Sequence, residues 1–210
     1  MTSRLSPGGA QELVGVEADI TTVGKYFGGG FPFGAFGGKE YWMSRHDPSH
    51  PETINSGGTF NQNALCLAAT RSVLEELWFP DKCVEHNLRG DIFRRDINDL
   101  SKKHGMPCQA CGTGSLITLI WQNQNVTGEI DEDSASHQLN FVPNKAVFKA
   151  TELFWFHMMI RHDVLAGSPK LNYLTLPTPL QRVDYDKFLV GMEDFFLSFQ
   201  DVLKVLASET

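Results

Sequence analysis

The chain contains 210 residues, of which 41% are hydrophobic and 20% are charged, and its formal net charge is −7. This composition is too apolar for a disordered protein, and the length suits one large domain or two small ones. The acidic balance argues against a nucleic-acid-binding surface, because phosphate contacts need clustered Lys and Arg. No apolar stretch could span a membrane, and no signal peptide is recognisable. Four cysteines are too few for a disulfide scaffold. Together these observations predict a cytoplasmic protein that binds neither nucleic acid nor membranes.

The first part of the chain combines two short strands, many glycines and a helix. The β-branched run at residues 20–23 predicts one strand, and residues 33–38 predict a second. A helix with an apolar face follows, beginning at Asn61 or Asn63 and continuing to Leu77. The glycines cluster around these strands and indicate tight turns: Gly24, Gly28, Gly29, Gly30, Gly34, Gly37, Gly38, Gly57 and Gly58.

The rest of the chain alternates helices and strands, as an α/β domain does. In order, we predict a helix over 84–103, a strand over 115–121, a polar loop over 122–140, a helix over 145–161 and a strand over 171–176. A last helix opens at Asp184 or Asp186 and continues to about residue 206. Its apolar stripe is predicted to pack in a core: Phe188, Leu189, Met192, Phe195, Phe196, Phe199 and Leu203.

The glycine-rich segment fits neither common nucleotide-binding motif. The dinucleotide fingerprint that starts at Gly28 would need a third glycine where Phe33 stands. A phosphate-binding loop ending at Gly24 and Lys25 would need a glycine where Asp19 stands. We therefore expect this segment to serve another purpose than nucleotide binding.

Cysteine and histidine spacing predicts no metal site. Cys108 and Cys111 form a single C-x-x-C, without the second pair or the histidine spacing that completes a zinc site. Buried or incidental thiols are therefore favoured over a metal or redox function. The seven histidines form no H-E-x-x-H or similar pattern.

Lys25 is the residue most suggestive of chemistry. It follows an apolar strand and precedes the Gly28–Gly30 turn, where its amine could attack a carbonyl once deprotonated. On position alone, a surface lysine whose stem covers apolar neighbours is the simpler interpretation. The residues around Lys25 favour the chemical role over this simpler interpretation.

Residues 19–39, DITTVGKYFGGGFPFGAFGGK, resemble the cofactor-lysine segment of class III aminotransferases, and in particular the glutamate-1-semialdehyde aminomutase-like branch. The resemblance implies that pyridoxal 5′-phosphate (PLP) is bound as an internal aldimine on Lys25. Residues 55–63, NSGGTFNQN, resemble the family's Gly-Thr segment before a helix. By this resemblance Thr59, next to Gly58, would bind the cofactor phosphate of the neighbouring subunit, in a homodimer with a shared active site.

The resemblance also implies an α/β fold, a partial PLP-dependent transferase of fold type I. We expect residues 1–83 to belong to the large PLP-binding domain with an incomplete, parallel sheet. Residues 84–104 would form a connecting helix and residues 105–210 a small C-terminal α/β domain. The family's Asp-Glu-Val, whose aspartate pairs with the pyridine nitrogen, has no counterpart here, so we expect a chain truncated at its N-terminus.

The implied function is that of a PLP-dependent aminotransferase or aminomutase acting on an amino acid or amino-ketone. Its partners would be small-molecule amino donors and acceptors. The alternative is a non-catalytic remnant or interaction protein that keeps the PLP lysine without activity.

Overall fold

The structure, a computed structural model, describes residues 4–121, 145–165 and 173–208. The chain divides into two compact units, residues 1–85 and residues 86–210. The predicted polar loop at 122–140 and the first two residues of the strand predicted over 171–176 lie outside the described residues.

The first unit contains short elements around a two-stranded hairpin. These are α1 (Ala10–Leu13), β1 (Ile20–Gly24), β2 (Gly34–Gly38), α2 (Glu40–Met43) and α3 (Ala64–Ser72). Strands β1 and β2 pair antiparallel, from Ile20 opposite Gly38 to Gly24 opposite Gly34. The expectation of parallel strands is wrong for this pair, because residues 25–33 are too few for a parallel crossover.

Helix α3 begins after Asn63, which is one of the two residues that the sequence offered as its N-cap. The Asn63 side chain accepts hydrogen bonds from the backbone N–H groups of Leu65 and Cys66, at 3.0 and 3.2 Å. The helix passes into a π-helical turn at Val73–Leu77. Its apolar face is mostly exposed, however, and only Val73 among its large apolar residues is buried.

The second unit is built on an antiparallel sheet and long helices. Helix α4 (Pro80–His104) begins in the first unit and leads to β3 (Cys108–Thr113) and β4 (Leu116–Trp121). After these come α5 (Lys145–His162), β5 (Tyr173–Thr175), α6 (Arg182–Ser198) and α7 (Gln200–Ser208). The strand order is β3-β4-β5, and both pairs are antiparallel.

Side chains of α4 hold the β3–β4 hairpin. The turn receives two bonds, since Asp91 Oδ1 accepts from Gly114 N and Asn87 Oδ1 accepts from Ser115 N, each at 2.9 Å. Further along β3, Asn98 accepts from Ala110 N at 2.7 Å and donates to Ala110 O at 2.9 Å. The hairpin is thereby fixed to one helix at its turn and along β3.

The apolar stripe predicted for the last helix forms the core of the second unit. Phe188, Met192, Phe195, Phe196 and Leu203 are buried there, and Leu189 and Phe199 are partly buried against the same cluster. The predicted single helix is wrong in two details. It begins at Arg182, where Gln181 and Asp184 form a reciprocal cap, and it is interrupted at Phe199.

Strand β3 was not predicted. Its sequence, CQACGT, has few β-branched residues, and its partner β4 together with the contacts from α4 stabilises the extended conformation. Cys108 and Cys111 are buried in this strand as reduced thiols.

Candidate active site

Lys25 stands directly after β1, at the first residue of a 3-10 turn, Lys25–Gly28. Its backbone φ is +60°, a left-handed conformation that residues other than glycine seldom adopt. The Lys25 side chain is exposed. The chain thus turns sharply at this residue and presents a primary amine at the end of a strand.

The glycine-rich turn after Lys25 packs closely against α3. A Cβ at Gly29, where φ is +59°, would lie 3.0 Å from Val73 Cγ2 and 3.4 Å from the Ala69 carbonyl oxygen. A Cβ at Gly28 would lie only 2.8 Å from Phe33 Cβ. A side chain at either position would push the turn away from its neighbours, so glycine is what permits this approach.

Aromatic contacts fix the same turn from its other end. The Tyr26 ring lies 5.8 Å from the Trp78 ring in an edge-on arrangement, and the Arg4 guanidinium lies 5.3 Å from the Tyr26 ring centroid. Phe27 is buried in the first unit. The residues next to Lys25 are therefore anchored while its own side chain remains exposed.

Thr59 and Gly58 lie in an exposed turn that precedes α3. The Gly58 carbonyl accepts a hydrogen bond from Asn61 N at 3.0 Å. The sequence suggested that helix N-terminal amides would join Thr59 on a phosphate, but Asn63 caps the helix and already satisfies two of them. A phosphate contact here would depend on the Thr59 hydroxyl and the backbone of its own turn.

Lys39 is the second lysine of the glycine-rich segment, and its surroundings differ. Its Nζ lies 2.9 Å from Asp19 Oδ1 and 3.8 Å from Glu17 Oε1. The hydrogen bond to Asp19 raises the pKa of Lys39 above its ordinary value. Because this ion pair favours the protonated amine, which is no nucleophile, Lys39 is the less suited of the two lysines to condense with an aldehyde.

These residues suit an aldehyde that carries a phosphate in the kinds of group they offer. Lys25 and Thr59 are both exposed residues; the first carries a primary amine, and the second carries a hydroxyl beside glycine. The two lie in separate segments, one packed on the middle of α3 and the other preceding its cap.

The structure also gathers three side chains that the sequence analysis did not single out. His157 and His162 of α5 both lie within hydrogen-bond distance of Asp194 of α6. The two histidines are separated by four residues, an H-x4-H spacing that zinc ligands can have but that no cysteine pair accompanies at zinc-finger spacing.

Within the described ranges, no helix is both long and apolar enough to cross a bilayer.

The sequence of this chain matches a known protein family and several of its characterised members. A family model described as Aminotransferase class-III matches residues 8–147. The chain is 32% identical over 195 residues to the beta-phenylalanine transaminase of Variovorax paradoxus, covering 93% of this chain and 42% of that protein. It is 30% identical over 193 residues to the glutamate-1-semialdehyde 2,1-aminomutase of Persephonella marina, covering 92% and 42%.

A solved structure agrees with these sequence matches. The crystal structure of the beta-phenylalanine aminotransferase from Variovorax paradoxus superposes with a TM-score of 0.81 at 32% identity, covering 97% of this chain and 44% of that one. The chain thus spans less than half the length of these relatives. The predicted partial α/β transferase fold and the resemblance to the aminomutase branch are confirmed. The chain belongs to the class-III aminotransferase family, whose members depend on pyridoxal 5′-phosphate.

Proposed function

We propose that this chain carries the lysine-bearing part of a PLP-dependent active site that transfers amino groups on an amino acid or amino-ketone. The observation that carries the proposal is the placement of Lys25. This exposed residue stands at a strand end, on a backbone held at φ +60° by an anchored turn, within the residues that the family model matches.

Each candidate residue has a defined task in this proposal. When bound, PLP supplies an electrophilic aldehyde and an electron-withdrawing ring. Lys25 Nζ is the atom of covalent attachment. The Thr59 hydroxyl donates to a cofactor phosphate oxygen, and Gly58 lets the backbone approach the same group.

Assembly and organisation are part of the same proposal. The phosphate that Thr59 binds would belong to the other subunit of a cytoplasmic homodimer. Residues 1–83 would be large-domain structure, residues 84–104 a connecting helix, and residues 105–210 the small domain. The attachment of PLP to Lys25 can be tested without assuming the dimer or these domain bounds.

The Lys25 assignment is tested by reduction with borohydride in the presence of PLP, followed by peptide mass spectrometry. We expect the adduct on Lys25 and its loss in Lys25→Ala. Lys39→Ala is the matched control and should label like the unsubstituted chain, because the Asp19 ion pair engages the Lys39 amine and favours its protonated form. Labelling that persists in Lys25→Ala, or that falls mainly on Lys39, would contradict the assignment.

The Thr59 assignment is tested by PLP titration of Thr59→Ala and Thr59→Ser. One hydrogen bond to a charged group contributes about 1.5–3 kcal/mol, so Thr59→Ala should weaken PLP binding roughly 10- to 150-fold. Thr59→Ser keeps the hydroxyl and should lose much less affinity. Equal losses in the two variants would indicate a packing role for the methyl group instead.

One observation favours the alternative, a non-catalytic interaction protein. The first unit exposes large apolar side chains of the kind that partner proteins cover, including Phe60, Leu65, Tyr41 and Leu77. An assay of amino transfer from a panel of amino donors to a keto acid separates the two functions. Labelling at Lys25 without any transfer would support the alternative.

A further inference from the structure

A cluster of metal-ligating side chains lies between α5 and α6, in the second unit. His157 Nε2 is 3.0 Å from Asp194 Oδ2, and His162 Nε2 is 2.8 Å from the same oxygen. One ligand atom from each of the three residues can be chosen so that all lie within 4.8 Å of one another. Two imidazoles and a carboxylate thus converge on one small volume.

The end of α5 gives His162 its position. The helix stops at His162, Asp163 adopts a left-handed φ of +49°, and Val164 N donates back to the Met158 carbonyl at 3.1 Å. In this closing turn a backbone N–H beyond the helix end donates to a carbonyl group near the helix C-terminus, where the last carbonyl groups lack intrahelical partners. His162 is therefore part of a defined helix end.

Gly191 of α6 permits the close approach of the two helices. A Cβ at this position would lie 3.0 Å from His162 Cγ and 2.9 Å from Met158 Sδ. Contacts this short would force the α5 side chains to shift. The missing side chain at Gly191 therefore leaves the room in which His162 reaches Asp194.

Aromatic packing fixes His157. Its ring lies 5.5 Å from the Phe195 ring and 5.6 Å from the Phe199 ring, both in edge-on arrangements, and the residue is only 6% exposed. The Asp194 side chain, in contrast, is 42% exposed. The cluster combines one rigid, buried ligand with a carboxylate that can move and that a solvent ion can reach.

The donor set suits zinc. Zinc binds histidine nitrogen and carboxylate oxygen at about 2.0–2.2 Å, and catalytic sites often use three protein ligands with a fourth position open. Tetrahedral ligands at these bond lengths are roughly 3.3 Å apart. The two His–Asp separations of 2.8 and 3.0 Å need to widen by a few tenths of an ångström, and the two imidazole nitrogens, which lie within 4.8 Å of each other, need to settle at the same spacing.

We propose that His157, His162 and Asp194 form a binding site for Zn²⁺ that joins the end of α5 to α6 and leaves a coordination position open. The site lies in the second unit, whereas Lys25 lies in the first. It does not depend on the proposed function.

The test titrates Zn²⁺ into the chelator-treated full chain by calorimetry, and Co²⁺ by visible absorption. We expect one ion per chain and the intense bands of tetrahedral Co²⁺. His162→Gln keeps an amide that can donate to Asp194 but replaces the imidazole, and Asp194→Asn removes the charge. Each should weaken Zn²⁺ binding by at least about 100-fold, more than the loss of an outer-shell partner.

His104→Gln is the matched control. His104 Nε2 contacts Glu193 at 2.7 Å, next to the cluster but outside it, so this variant should bind Zn²⁺ unchanged. Stoichiometric binding that survives in both His162→Gln and Asp194→Asn would overturn the proposal. Should a variant fail to fold, the Co²⁺ spectrum of the unsubstituted chain decides: weak octahedral bands or no binding would show a hydrogen-bonded cluster without a metal.

Discussion

The two units place their apolar side chains in different surroundings. Among the described residues of the first unit, the buried hydrophobic ones are Phe27, Val73 and Cys83, while most of the large apolar side chains are exposed. In the second unit one cluster buries aromatic residues from four elements, and rings of Trp121, Phe154 and Phe195 lie 5.2–5.7 Å apart. The second unit therefore has a hydrophobic core of its own, whereas the first unit leaves most of its large apolar side chains exposed to solvent.

This difference concerns stability as much as function. Burying apolar area stabilises a fold by about 25 cal/mol per Å², so the described residues of the second unit supply most of that contribution. The first unit holds Lys25 on a turn anchored by a few contacts with α3 and Trp78. The residues proposed for PLP binding therefore stand on the less stabilised part of the chain.

The strongest test of this contrast is a pair of phenylalanine truncations. Phe154 is fully buried, so Phe154→Ala should lower the free energy of unfolding by about 3–5 kcal/mol. Phe60 is 86% exposed, and Phe60→Ala should change it by less than about 0.5 kcal/mol. Urea unfolding followed by tryptophan fluorescence measures both. Similar losses in the two variants would show that the first unit has a core of its own.

A smaller effect is expected from adding one methyl group to a glycine in each unit. A Cβ at Gly90 of α4 would collide with the Gly114 carbonyl, so Gly90→Ala should cost about 1–3 kcal/mol of unfolding free energy. A Cβ at Gly37 of β2 meets nothing within 4 Å, so Gly37→Ala should stay within about 0.5 kcal/mol. The same unfolding experiment applies. A neutral Gly90→Ala would mean that α4 and the hairpin turn can separate freely.

The third comparison of the two units leaves stability unchanged and measures the reactivity of their cysteine thiols. Burial raises the pKa of the Cys108 thiol well above its ordinary range, which leaves almost no thiolate at neutral pH. Cys66 in the first unit is only half-buried. Iodoacetamide should therefore label Cys66 at least about tenfold faster than Cys108 or Cys111, as read by peptide mass spectrometry.

Two outcomes would contradict this expectation. Fast labelling of Cys108 in the folded chain would show that β3 opens readily. A Cys108–Cys111 disulfide would revive the redox interpretation of the C-x-x-C. After denaturation all four cysteines should react alike, which is the internal control.

Local composition and periodicity predicted the elements whose own side chains are buried. Strand β4 and the stripe on α6 are examples, because their own side chains fill the core of the second unit. The apolar face predicted for α3 did not become a core, since a periodic pattern does not say whether anything covers it. Strand β3 escaped prediction because its conformation depends on β4 and on Asn98, which are distant in sequence.

The site shows the same division between local and distant information. Lys25 was found from a contiguous segment, and its left-handed backbone agrees with the turn that the glycines indicated. Its assignment as the PLP lysine stays a prediction. The grouping of His157 and His162 with Asp194 could not be predicted, because it arises only when α5 and α6 pack across Gly191.

The pair of hydrogen bonds between Asn98 and Ala110 has a further consequence for the sheet. Among the strands of the described residues, β3 lies at an edge of its sheet, and the backbone N–H and C=O groups of an edge invite pairing with a strand of another molecule. Asn98 occupies both backbone groups of Ala110 in the middle of that edge. A foreign strand would have to displace this side chain before it could extend the sheet. Asn98 of α4 thus disfavours the addition of a strand from another molecule to β3.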